Sequence, residues 1–256
     1  MDSIVIVAHG SPENLNGDAA KKHAESLTEK LGQKVRYAYK GDIEPTIRSV
    51  LDVVAKERPD RLVVLPLFFA PGMFADRIIP AKFGLPQGSH RGRIDLNGHE
   101  AEIVIAEAFG IQPAMREVMA GVIRRSAPAD GGTAVVLIGH GSKDGANEST
   151  VEMNAEYVRA MGYEAIPCYN EFCEPTVEQG MEAALATGCG SILAIPMFVS
   201  SSHHSVVEIP EKMGLAAGER SATIEVDGKS VNLIYETEIG LAPGMDDLLA
   251  DMYRRL

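Results

Sequence analysis

A fixed offset of about 130 residues runs through this chain and limits its possible folds more than any other feature. Leu65-Pro66-Leu67-Phe68 returns as Ile195-Pro196-Met197-Phe198, and Glu44-Pro45-Thr46 returns as Glu174-Pro175-Thr176, each 130 residues on. Phe83-Gly84-Leu85 maps onto Met213-Gly214-Leu215, Asn97-Gly98 onto Asp227-Gly228, and Arg124-Arg125 onto Arg254-Arg255. Ala8-His9-Gly10-Ser11 matches Gly139-His140-Gly141-Ser142 with a slip of one residue. Matches this numerous, each in the same local context, mark an internal duplication. The two halves are 1–127 and 131–256, and the junction 126–132 is built of Ser, Ala, Pro, Asp and Gly, a linker composition.

Each half alternates short apolar runs with amphipathic stretches. In the first half the pattern predicts strands over 4–9, 35–39 and 62–66, and helices over 16–31, 44–56, 75–83 and 113–125. Two alternating runs around Asn97-Gly98 predict a β-hairpin within 91–107, and its counterpart falls within 221–236. Strands alternating with helices give an α/β fold: two tandem domains, each a mainly parallel sheet flanked by helices, with an added β-hairpin. The 256 residues suffice for two domains of ordinary size.

Composition narrows the function. A formal net charge of -12 argues against nucleic acid or an anionic membrane as partner. No apolar run approaches the roughly 20 residues that a bilayer span requires. The first residues lead directly into a strand without a basic segment, so no signal peptide is expected. Cys168, Cys173 and Cys189 form neither an even set nor a Cys-x-x-Cys pair, which suits reduced thiols in a cytoplasmic protein. Monomer and homodimer both remain open.

Superimposing the halves shows where they differ. His9 and His140 are equivalent, but Phe74 stands where His204 stands, and Gly41 where Glu171 stands. Only the second half therefore carries His140, Glu171 and His204 at the ends of three successive strands. Open parallel sheets place ligands at their carboxyl ends. Two imidazoles and a carboxylate suit Co²⁺, Fe²⁺, Ni²⁺ or Zn²⁺, with one coordination position left open. Ser142 and the turn Ser200-Ser201-Ser202 offer hydroxyl and backbone donors to substrate carboxylates, with Lys143 and Arg77 as further candidates. His203 is read as an outer or entry group, and His9 as a support for its own loop. Phe74 and Met73 suit core packing or contact with a flat ligand. His23, His90 and His99 are read as solvated. Glu44, Glu174 and Glu208 are read as helix-capping residues.

The His-Gly-Ser strand end, the glutamate before the paired Pro, and His204-Ser-Val-Val-Glu208-Ile209-Pro210 resemble the class II tetrapyrrole chelatases. The nearest group is the CbiX/CbiK/SirB-like sirohydrochlorin chelatases. The resemblance covers nearly the whole chain and implies insertion of a divalent metal, Co²⁺ first, into sirohydrochlorin without a nucleotide. Fe²⁺ insertion for sirohaem synthesis is the alternative, as is a metal or tetrapyrrole carrier without turnover. Other chemistries fit less well. A histidine phosphatase needs an arginine before the histidine, where Ala8 and Gly139 stand. A serine hydrolase at Ser142 lacks the Gly-x-Ser-x-Gly frame.

Overall fold

The computed structural model describes residues 1–10, 18–128, 132–226 and 228–256. Ser11, the expected helix start at Asn16, the centre of the junction and Asp227 lie outside the described residues. The first half runs β1 (Asp2–Ala8), α1 (Ala19–Leu31), β2 (Val35–Tyr39), α2 (Ile47–Glu57) and β3 (Arg61–Pro66). A π-helical turn (Met73–Ile78) leads into the short α3 (Ile79–Lys82), then β4 (Arg91–Asp95), β5 (Glu100–Ile105) and α4 (Met115–Ser126). The second half repeats the series: β6 (Thr133–Gly139), α5 (Ala146–Ala160), β7 (Glu164–Tyr169), α6 (Val177–Ala186) and β8 (Ser191–Pro196). A second π-helical turn (His204–Glu208) precedes α7 (Ile209–Lys212), β9 (Ser221–Val226), β10 (Lys229–Tyr235) and α8 (Met245–Arg254).

Each half forms one five-stranded sheet, ordered β2-β1-β3-β5-β4 and β7-β6-β8-β10-β9. Four strands in each are parallel, and the hairpin adds the antiparallel edge strand. The hairpin is thus part of the sheet, because its second strand pairs in parallel with β3 or β8. At the first hairpin Asn97 and Gly98 both have positive φ, 53° and 80°, as a tight turn matching strand twist requires. β6 and β8 are buried along their full length and β1 and β3 along all but their first residue, so both sheet faces are covered.

The helices start where the chain supplies a cap. Thr46 accepts the backbone N–H of Ser49 at the start of α2, and Ile47, Val50 and Val54 then form its buried stripe. Thr176 and Gln179 form a capping box on α6. The caps are therefore the threonines and not the glutamates expected from the sequence. Glu44 still takes part, accepting the N–H of Thr46 and the hydroxyl of Ser49.

The compact units differ from the sequence halves by one helix each. One unit is Met1–Ala114 with Met245–Leu256, and the other is Met115–Gly244. Repeats 1–127 and 131–256 remain units of sequence, while each compact unit takes the last helix of the other repeat. In the first unit α8 packs on α1. Asp246, in the first turn of α8, accepts hydrogen bonds from His23 Nδ1 at 2.6 Å and Ser26 Oγ at 2.7 Å. Tyr253 Oη donates to Asp2 at 3.0 Å. His23 is only 6% exposed, so the expectation that it is solvated fails. It is drawn inward by a carboxylate more than 200 residues away in sequence. His90 and His99 are likewise engaged, with the carbonyls of Ile105 and Pro59.

Burial pushes the Asp246 carboxyl up, but the His23 and Ser26 donors outweigh it and hold the group below its ordinary value. A depressed carboxyl contributes stability above its unfolded pKa, about 3.9, and loses it as pH falls through the native value. Asp246→Asn should therefore destabilise the chain most at neutral pH. The difference from wild type in denaturant midpoint should close as pH drops below about 4. A difference constant from pH 7 to pH 3 contradicts this assignment.

Candidate metal centre

In the second unit β6 lies between β7 and β8, so the residues that follow these strands meet at one sheet edge. His140 follows β6, Asn170 and Glu171 follow β7, and the loop after β8 leads to His204. The backbone holds the first two together. Glu171 N donates to the His140 carbonyl at 2.9 Å, and Asn170 N to the Gly139 carbonyl at 2.9 Å. Gly141, with φ +87°, allows this approach: a Cβ there would sit 1.9 Å from the Glu171 carbonyl oxygen.

Of the three side chains expected at the site, Glu171 and His204 come within ligand reach of each other, while His140 stands beside His204 through its ring and has no ligand atom in that group. The His140 and His204 rings are edge to face with centroids 5.2 Å apart. Glu171 Oε1 lies 3.8 Å from His204 Nδ1. Around them stand Phe172, stacked on His140 at 5.7 Å, and Phe198 at 6.0 Å. Lys143 sits over the outer ring, 5.5 Å from the Phe172 centroid. Glu171 and His204 are each about one-third exposed, so the cluster is open on one side.

Glu208 belongs to this cluster, although the sequence suggested only a capping role. It ends the π-helical turn that His204 begins, and the i,i+4 spacing sets both on one face. His204 Nδ1 donates to Glu208 Oε2 at 2.6 Å, which puts the proton on Nδ1 and leaves the Nε2 lone pair free. The bond from His204 holds the Glu208 carboxyl below the usual carboxylate range against its partial burial. Ligand atoms of Glu171, His204 and Glu208 all lie within 4.8 Å of one another. His203, more exposed, approaches the other Glu208 oxygen at 3.7 Å.

A chain of donors fixes Glu208 in turn. Lys212 Nζ donates to Asn170 Oδ1 at 2.8 Å and to its carbonyl at 2.9 Å. An ammonium only donates, so the Asn170 oxygen must face Lys212 and its amide nitrogen must face Glu208, 3.3 Å away. In the first half Lys40 stands in place of Asn170 and Ile78 in place of Glu208, so the arrangement belongs to one copy alone.

Below the turn lies a buried polar cluster. Ser205 Oγ donates to the fully buried Glu238 at 2.6 Å, and Tyr235 Oη donates to the Ser205 carbonyl at 2.7 Å. Ser205 Oγ also accepts the N–H of Ser202 at 3.0 Å. These bonds anchor the residue next to His204. Ala75, Ala108 and Ile105 occupy the equivalent places in the first half.

The serines divide. Ser200 and Ser201 are half-buried on the turn, and the Ser202 hydroxyl is buried without a partner among the described residues. Both donors of Ser142 are already engaged, its hydroxyl with Glu148 Oε2 at 2.6 Å and its N–H with Glu148 Oε1 at 3.2 Å. Its expected role as a donor to substrate is thus taken up by its own loop. Cys173 lies beside Glu148, and burial together with that carboxylate pushes its thiol up to about 11. His9, in the first unit, touches the edge of Phe74 at 5.3 Å and bonds the Gly10 carbonyl through Nδ1 at 2.9 Å.

A family model described as CbiX matches residues 3–126 and again residues 134–256. A Methanopyrus kandleri protein named sirohydrochlorin cobaltochelatase is 39% identical over 84 residues, 32% of this chain and 59% of that protein. This chain therefore spans less than two thirds of that relative. A Halobacterium salinarum protein named probable sirohydrochlorin cobaltochelatase is 27% identical over 234 residues, 82% of this chain and 76% of the relative. Among solved structures, SirB from Bacillus subtilis with Fe³⁺ shares the fold, with TM-score 0.72 at 18% identity, covering 99% of this chain and 94% of that one. The two successive family matches follow the repeats and take in nearly every residue: the chain is a tandemly duplicated member of the CbiX family.

Proposed function

We propose that this chain is a sirohydrochlorin chelatase that inserts Co²⁺ into the free-base macrocycle without a nucleotide. The observation that carries the proposal is the meeting of His204 with the His140 ring and the Glu171 carboxylate, with Glu208 bonded to His204 Nδ1. The names of the M. kandleri and H. salinarum relatives support the same substrate and metal. The ligand set accepts Fe²⁺ as readily, and the B. subtilis SirB structure holds iron, as Fe³⁺.

Insertion exchanges two pyrrole N–H protons for one M²⁺. The ion must be held, partly stripped of water, and then released to four nitrogens. Neutral imidazoles suit this, because each can give up the ion and take a proton. In the proposed mechanism, His204 and His140 hold the ion with Glu171, leaving positions open toward the macrocycle. Glu208 keeps the proton on His204 Nδ1 and so aims Nε2, as outer carboxylates do for metal-bound histidines. Glu171, about one-third exposed, passes released protons to solvent. Ser200 and Ser201 are the remaining serine donors for substrate carboxylates.

Two outcomes test this reading. His204→Ala should abolish insertion of Co²⁺ into sirohydrochlorin, followed by absorption, while His9→Ala keeps most of it. Equal loss in both variants contradicts placement of the site in the second repeat. Product in excess of enzyme separates a chelatase from a stoichiometric carrier. Glu208→Gln should weaken Co²⁺ binding by roughly 10- to 100-fold without unfolding the chain. Unchanged affinity, measured by titration with the ion alone, contradicts its role.

A further inference from the structure

The two histidines of the centre are held in different ways. Glu208 orients His204 through Nδ1, whereas the His140 ring has no hydrogen-bond partner among the described residues. Metal-bound histidines ordinarily take their aim from such an outer bond. Around His140 stand rings instead. Phe172 lies nearly parallel to it, with 17° between planes and centroids 5.7 Å apart. Phe198 is tilted at 6.0 Å, and His204 meets it edge to face at 5.2 Å. Phe198 belongs to the core of the second unit, but Phe172 is 57% exposed, so burial does not explain its place.

Phe172 reaches that place through an unfavourable backbone. Its φ is +67°, in the left-handed region where a bulky side chain is rarely found. Cys173 N donates to the Glu171 carbonyl at 2.9 Å, so Phe172 is the centre of a three-residue turn. Positive φ at that centre is the mark of the rare, strained form of γ-turn. The other two non-glycine residues of positive φ among the described residues have local reasons: Arg58 ends α2, and Asn97 turns the first hairpin. The first repeat lacks this turn. Asp42 stands in place of Phe172 and is a residue type that tolerates positive φ better, yet its φ is not positive. Nor does Ile43 N bond the Gly41 carbonyl among the described residues. Strain kept in the copy that carries the ligands, and absent from the other, belongs to the site and not to the fold.

We propose that Phe172 is a positioning residue of the metal centre: its strained turn sets the phenyl ring flat against His140 and fixes that imidazole in the orientation an ion requires. The link to an ion rests on the chelatase reading above; the turn and the stacked ring do not. Stacking supplies for His140 what a hydrogen bond to Glu208 supplies for His204. Lys143 Nζ, 5.5 Å from the Phe172 centroid, adds a cation–π contact that helps to keep the exposed ring in place. An imidazole already fixed before the ion arrives loses less freedom on binding, and the ion binds more tightly for it.

The test compares Phe172→Gly, Phe172→Ala and Phe172→Tyr in the full chain. Three quantities are read: affinity for Co²⁺ alone, the denaturant midpoint, and the His140 ring-proton signals of the metal-free chain by NMR. Glycine removes the ring and relieves the backbone, alanine removes the ring alone, and tyrosine keeps both. Phe172→Gly and Phe172→Ala should each bind Co²⁺ about tenfold more weakly than wild type, and Phe172→Tyr about as tightly. The glycine variant should nevertheless unfold at a higher denaturant concentration than the alanine variant, because glycine adopts positive φ freely. Affinity and stability then move independently, which a merely structural role does not produce. The His140 ring protons, displaced by the stacked phenyl ring in wild type, should shift in both variants that lack it. Wild-type affinity in Phe172→Gly overturns the proposal, as do equal midpoints in the glycine and alanine variants or unmoved His140 signals. If no chain binds or inserts Co²⁺ while the signals and midpoints change as stated, the chelatase reading falls and the fixed ring stands. If wild type and Phe172→Gly insert Co²⁺ equally and bind it equally, the fixed ring falls and the chelatase reading stands.

Discussion

The pairing of β6 with β7 on one side and β8 on the other decides where every candidate ligand of the second unit can be. Parallel strands in register deliver their following residues to one edge, which brings His140, Asn170, Glu171 and the loop to His204 together. The approach is close enough that a side chain at Gly141 would strike the Glu171 carbonyl. What remains is orientation. The bond from His204 to Glu208, held by Asn170 and Lys212, supplies it for the imidazole that stands on a turn and not on a strand.

The first unit keeps the same sheet order and the same π-helical turn, yet its strand ends carry none of the carboxylate ligands. Fold and chemistry are therefore separable within this single chain. The sheet makes the edge, and a few side chains decide whether that edge suits a cation. The buried Ser205–Glu238 pair lies beneath the turn that carries His204, and it costs desolvation that the first repeat avoids with Ala75 and Ala108.

Much of this was legible in the sequence, because duplication makes the chain its own comparison. The strands, the hairpin turn at Asn97-Gly98 and the grouping of His140, Glu171 and His204 all follow from apolar period and matched offset. Glu208 was missed because a glutamate before Ile-Pro reads as a helix start, and periodicity does not distinguish a cap from a partner four residues back. A His-x-x-x-Glu spacing within one turn was the available signal. The engagement of Ser142 with Glu148, the burial of His23 against Asp246 and the exchange of last helices depend on distant contacts that no local pattern encodes.

The central claim is that one divalent ion binds among two imidazoles and carboxylate oxygen in the second repeat. X-ray absorption on the Co²⁺-loaded chain tests it directly. The account predicts nitrogen and oxygen neighbours at about 2.0–2.2 Å with the outer-shell scattering of two histidine rings. A shell of oxygen alone, without imidazole scattering, contradicts it.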